Sequence, residues 1–208
     1  MSSAWLGRIE PLARRWTRPL LWSLILVPLA WIVARGALGQ LGANPIERVE
    51  DETGRWTLRL LAASLAISPL MTLTRWGWLI RERRFLGLSA FFAAALHLSV
   101  YIGLDNFFDV AEIVKDVLKH LWVTLGMAAF LLLLPLALTS TKSWVRRLGG
   151  RRWKLLHRLV YLAAVAGCIH FMWSVKKDIT EPLVYMSVFA LLFAARVAQR
   201  TRMSASRA

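Results

Sequence analysis

Trp153-Lys-Leu-Leu-His157-Arg-Leu-Val-Tyr-Leu-Ala-Ala-Val-Ala-Gly-Cys-Ile-His170-Phe-Met-Trp173 is an apolar run of membrane-crossing length with one histidine near each end. A helix rises about 1.5 Å per residue, so a continuous one separates the two imidazoles by roughly 20 Å, most of a hydrocarbon core of about 30 Å. Ionisable side chains at such depth are costly unless buried with a partner, which makes them functional candidates. Neutral imidazole is also a preferred ligand for iron and other transition metals. Thirteen residues at about 100° each turn a helix by roughly 220°, so a straight helix does not show both rings on one face. Groups stacked on one side of this segment require a distortion, for which Gly167 is the expected place.

The rest of the chain has the same character. Of its 208 residues, 57% are hydrophobic and 11 are tryptophan. The excess lies in long charge-free runs, which points to an all-α, polytopic membrane helix bundle. A formal net charge of +15 in a soluble protein would point to nucleic acid. Here the basic residues cluster at the ends of apolar runs, so orientation in the membrane accounts for them and no nucleic-acid partner is expected. One cysteine, Cys168, excludes an internal disulfide and a cysteine metal centre.

Outward from the opening stretch, five further spans are expected: 19–34, 56–74, 85–104, 121–138 and a short 182–195. The chain thus divides into an N-terminal basic segment (1–18), a transmembrane domain (19–195) and a basic tail (196–208). Residues 36–55 read as a loop with Asn44-Pro45 as a turn, 105–119 as an amphipathic surface segment, and 176–181 as a short mixed loop. The N-terminus, 75–84, 139–154 and the tail are basic, while the intervening loops are mixed or acidic. By the positive-inside rule both termini and the two basic loops face the cytoplasm.

This topology sets the depth of each histidine. His97 lies roughly 20 Å above Arg84, and His170 about 26 Å above Trp153, by helical rise. The two therefore meet in the outer half, where two imidazoles from neighbouring spans are able to take both axial positions of one haem. His157 has no histidine at its own depth; a second haem, a flavin or a quinone head group are its candidate ligands. Its bland alternative, shared by all three, is a hydrogen bond to a neighbouring helix. His120 reads as an ordinary surface residue, and the tryptophans at segment ends as interfacial anchors. Arg75, Arg84, Arg147 and Arg151 belong to a cytoplasmic surface suited to a flavin phosphate or an acidic electron donor. Arg59 is placed to meet a haem propionate from the outer side. A histidine-lined metal or solute transporter is the competing class, but the spans hold no Asp or Glu and little sign of broken midplane helices.

The motifs Gly42-Ala-Asn-Pro-Ile-Glu47, Thr53-Gly-Arg-Trp56, Leu96-His97, Pro135-Leu-Ala-Leu-Thr-Ser140, Leu156-His-Arg-Leu-Val-Tyr161 and His170-Phe-Met-Trp173 together resemble the MsrQ (YedZ) family, within the ferric-reductase-like transmembrane proteins. The resemblance implies a bacterial inner-membrane, multi-pass electron-transfer subunit that is not itself the catalytic one. It implies haem b and FMN as cofactors, with His97, His157 and His170 as the haem histidines. Electrons come from the quinone pool or a cytosolic flavin reductase and pass to a periplasmic molybdenum-containing subunit that reduces methionine sulfoxide in proteins. Membrane lipid is the remaining partner. Two-haem relatives carry a second histidine near the cytoplasmic end of the third span; here that place reads Arg83-Arg84-Phe85.

Overall fold

The computed structural model describes residues 3–175 and 178–205. Lys176, Lys177 and Arg207 lie outside the described residues. Among those described there is no strand, and eight α-helices follow one another: α1 (Ser3–Ala37), α2 (Pro45–Thr74), α3 (Ile80–Val100), α4 (Val110–Lys119), α5 (Leu121–Leu138), α6 (Lys142–Leu156), α7 (Leu159–Ser174) and α8 (Thr180–Ala205). A 3-10 turn (Gly77–Leu79) leads into α3, and one π turn (Tyr101–Asp105) ends it. Five segments are long and apolar enough to cross a membrane: Glu10–Ala37, Pro45–Thr74, Gly77–Asp105, Leu121–Leu138 and Thr180–Gln199. The pair α6 and α7, bent by 42°, adds a sixth when the two are taken as one broken span. By the length and hydropathy of these helices the protein is a multi-pass membrane protein.

Helix α2 is the centre of the bundle. It packs most extensively on α3, and α5 on α7, with α8 against α2 and α7. The shared core joins Leu58, Leu61 and Leu65 of α2 to Leu86, Ala90 and Ala94 of α3, Leu133 of α5, Ala163, Ala164 and Cys168 of α7, and Phe189 of α8. Lipid tails are as apolar as leucine, so close backbone approach rather than hydrophobic exclusion holds such helices together. The fully buried alanines 90 and 164 are where that approach happens. Helix α1 is different: none of its most apolar window is buried.

The structure corrects three sequence expectations. The 36–55 loop is helical from Pro45 onward. Asn44 caps α2 by accepting from the Glu47 N–H, proline stands in its first turn, and Arg48–Glu52 (3.1 Å) and Asp51–Arg55 (3.4 Å) support the projecting turns as i,i+4 pairs. The sixth span, expected to stop at 195, is part of a helix reaching Ala205.

The opening stretch is not one helix. It breaks between Leu156 and Leu159, at His157 itself rather than at Gly167. The turn there tightens into i→i−3 bonding, with Arg158 N–H donating to Leu155 O at 3.0 Å and Tyr161 N–H to Arg158 O at 3.0 Å. Thr139, the residue that caps the end of α5, holds it through both its carbonyl and its hydroxyl: Trp153 Nε1 donates to Thr139 O at 2.9 Å, and His157 Nε2 lies 3.1 Å from Thr139 Oγ1. A second bend lies in α6, where Gly149 has φ 72° and ψ 151°, a combination open to glycine and strained for any other residue. Gly149→Ala is therefore expected to cost about 1–3 kcal/mol, read as a lower thermal midpoint of the purified protein. Gly150→Ala, next to it with open space around the new methyl, serves as the unstrained comparison.

Candidate functional site

Four helices bring two imidazoles together, α3 and α7 carrying the rings and α2 and α5 the carbonyls that hold them. His97 reaches out of α3 one turn before its π turn, and His170 reaches out of α7; their ring centroids are 6.1 Å apart and their planes 72° apart. Both are partly buried and line one open-sided cavity of about 1220 Å³ between α2, α3, α5 and α7, walled by Leu58, Leu61, Ala94, Phe130, Leu133 and Phe171.

Each ring is held by the same device. His97 Nδ1 lies 3.0 Å from Glu50 O and 3.3 Å from Thr53 Oγ1, and His170 Nδ1 lies 2.6 Å from Trp122 O. A helix carbonyl has only its own i+4 N–H as an intrahelical partner, so a second acceptor site remains on it. A helical side chain leans back over the turn before it, so residue i+4 normally covers the carbonyl of residue i. In both cases that residue is glycine. Gly54 follows Glu50 by four, and Gly126 follows Trp122 by four. A methyl on Gly54 would stand 3.3 Å from His97 Cε1, and one on Gly126 2.8 Å from His170 Cε1 and Nδ1. The absent side chains let each imidazole dock on the carbonyl.

The tautomer follows. An Nδ1–H donated to a carbonyl leaves Nε2 with its lone pair, the arrangement that orients a histidine as a metal ligand and raises its basicity. Two metal–imidazole bonds of about 2 Å each, with the ring centre lying about another ångström beyond each nitrogen, place axial ligands of one metal roughly 6 Å apart by centroid. The observed 6.1 Å fits that span. The cavity is predominantly apolar, as a porphyrin face requires. The residues present fit a haem, which His97 and His170 would hold.

His157 stands apart from this pair. Thr139 Oγ1 donates its only proton to Pro135 O at 2.6 Å, so it accepts from His157 Nε2–H, and Nδ1 is the ring nitrogen carrying the lone pair. Trp153 stacks on the ring at 3.9 Å between centroids. No second histidine approaches it among the described residues.

The arginines separate as well. Arg59 does not line the His97–His170 cavity. Its Nε donates to Tyr185 OH at 2.9 Å, its guanidinium lies over Trp56, and it faces a second cavity between α1, α2 and α3. Arg55 is the guanidinium at the histidine cavity, ion-paired to Glu181 at 2.7 Å and to Asp51. Arg75, Arg84, Arg147 and Arg151 are exposed at the opposite end of the bundle, and no carboxylate pairs with them among the described residues. Arg75 also ends α2 in the left-handed region, φ 62°. Sequence reasoning marks Thr53, Gly54 and Arg55 only as part of the Thr53-Gly-Arg-Trp56 motif, with no role assigned, and does not mark Gly126 at all. Gly126, a glycine in mid-span, was the one visible signal.

Residues 53–168 match the family model described as ferric reductase like transmembrane component. Among curated proteins, the protein-methionine-sulfoxide reductase heme-binding subunit MsrQ of Rhodospirillum rubrum is 52% identical over 177 residues, 85% of this chain and 85% of the relative. Its namesakes from Herminiimonas arsenicoxydans and Caulobacter vibrioides are 47% identical over 182 residues and 48% over 178. They cover 86% of this chain, and 84% and 85% of their own lengths. No solved structure matches the chain.

Proposed function

We propose, starting from the fact that this chain belongs to the ferric-reductase-like transmembrane family and to the MsrQ proteins within it, that it conducts electrons to a periplasmic methionine-sulfoxide reductase catalytic subunit. The observation that carries this is the His97–His170 pair, 6.1 Å apart by centroid, each with Nδ1 on a helix carbonyl. When bound, haem b supplies a one-electron iron couple with no open coordination position, suited to electron transfer rather than substrate chemistry.

The chain's own residues do the rest. The Glu50 and Trp122 carbonyls fix the imidazole planes and tautomers. Leu58, Leu61, Phe130 and Leu133 exclude water, and the low dielectric limits the reorganisation that follows each change of charge. The basic end, with Arg75, Arg84, Arg147 and Arg151, faces the cytoplasm in this reading and attracts an anionic donor: the FMN phosphate, or the acidic surface of a flavin reductase. Quinol in the bilayer is the alternative donor. His157, at the break between α6 and α7, lies on the way from that end to the histidine pair. The acids of α4 (Glu112, Asp116) and Asp109 at its cap form the opposite surface, where the catalytic subunit docks.

The test is a reduced-minus-oxidised absorbance spectrum of protein purified from cells given ample haem precursor. A sharp low-spin b-type band is the expected result, with reoxidation when the catalytic subunit and methionine sulfoxide are added. A colourless preparation ends the proposal.

A further inference from the structure

The second cavity is not used by the electron-transfer reading. It lies between α1 and the α2–α3 pair, holds about 1730 Å³, and is walled by Trp22, Ile25, Trp31, Leu60, Phe92 and Leu96. Helix α1 contributes one whole side of it yet has none of its most apolar window buried in the protein. The apolar stretch of this gap, between Trp22, Ile25, Phe92 and Leu96, offers few polar partners to hold water inside a hydrocarbon layer. Along α1, from Trp22 to Arg35, the wall is roughly 20 Å long at helical rise, somewhat more than half of a core of about 30 Å. That is the reach of an acyl chain through one leaflet.

The polar groups of the lining gather towards one end, and their charge is unbalanced. Arg35 and Arg48 stand at the mouth and Arg59 enters from about three turns deeper, against the single carboxylate of Glu52. Glu52 is already engaged, 3.1 Å from Arg48 and 3.6 Å from Arg55. Arg35 Nη2 donates to Gln40 O at 2.6 Å, and the other donors of its fork have no protein partner among the described residues. A guanidinium fork matches phosphate oxygens as a bidentate donor, and an excess of guanidinium selects a head group of net negative charge over a zwitterionic one. A quinone head is neutral: its carbonyls are able to accept single hydrogen bonds there, but it gains no net charge attraction from that excess.

We propose that this cavity is the seat of one anionic phospholipid, its phosphate at Arg35 and Arg48 and its acyl chains between α1 and the α2–α3 pair. The lipid then acts as the mortar that docks α1 on the bundle. It also seals the wall of which Thr53, in contact with His97, is part. This inference is independent of the electron-transfer reading.

Full-length protein is purified in mild detergent and its bound lipid measured by native mass spectrometry. The expected result is one phosphatidylglycerol-class lipid per chain that survives delipidating washes. Stripped wild-type protein offered equal dioleoyl-phosphatidylglycerol and dioleoyl-phosphatidylcholine is expected to retake the former preferentially. Arg35→Gln combined with Arg48→Gln should lower retention by roughly tenfold or more, at about 1 kcal/mol per arginine; Arg146→Gln, at the other end, should leave it unchanged. Retention indifferent to head-group charge overturns the proposal. So does equal retention by the arginine variants, or recovery of a quinone in the lipid's place. Should the double variant fail to accumulate, the wild-type competition decides by itself.

Discussion

His170→Ala is expected to abolish the low-spin haem signal, leaving the reduced-minus-oxidised band of the purified protein at background. Two losses combine in this variant. The imidazole that would hold the iron disappears, and with it the ring nitrogen that lies 2.6 Å from the Trp122 carbonyl, whose second lone pair then faces a predominantly apolar cavity unpaired. An unsatisfied buried acceptor costs about 1–3 kcal/mol, and the emptied volume adds a cavity term to it. His97→Ala removes the opposite axial nitrogen and should behave alike. His120→Ala is the control. That ring lies at the α4–α5 junction, half-exposed and 3.4 Å from Asp116 Oδ1, outside the cavity, so its loss leaves the band intact. Retention of a full low-spin band by both His97→Ala and His170→Ala would remove this pair from haem ligation. The electron-transfer reading would then have to rest on His157.

Much of this architecture is readable from charge and hydropathy, because a membrane constrains both so strongly. Arginines at the ends of apolar runs mark where each span stops, and helical rise alone puts His97 and His170 at one depth. What escapes is whatever depends on a neighbouring helix. The break at His157 has no proline or glycine at its centre. It is held by Thr139, from the far side of a turn, through a hydroxyl that Pro135 has already engaged. Arg59 illustrates the same limit. Its depth is legible, but its azimuth is set by Tyr185 and Trp56, which turn it away from the histidine cavity, while Arg55, one helical turn earlier, faces it. The carbonyls of Glu50 and Trp122 are backbone atoms and leave no trace in the alphabet at all. Their only signature is indirect, the glycine four residues further on.

That signature carries the second large effect. Gly126→Ala places a methyl 2.8 Å from two atoms of the His170 ring, whereas Gly54→Ala places one 3.3 Å from His97. Helix propensity taken alone favours alanine over glycine by about 1 kcal/mol. Against this stand overpacking of a fixed ring, about 1–3 kcal/mol, and loss of its hydrogen bond to Trp122 O, about 0.5–1.5 kcal/mol. The ring has no easy escape, because moving away from the methyl also takes Nδ1 from its acceptor, the Trp122 carbonyl. The unfavourable sum wins at Gly126 and comes close to balance at Gly54. Haem per chain, measured by pyridine haemochromogen, should therefore fall several-fold in Gly126→Ala, and the remaining haem should show a shifted midpoint potential. Gly54→Ala should keep most of its haem with a smaller shift. Gly150→Ala, where nothing stands within 4 Å, should match wild type in both. The order matters more than either value. If Gly126→Ala bound haem fully at an unchanged potential, the Trp122 carbonyl would not be what orients His170, and the matched pair of glycines would be coincidence.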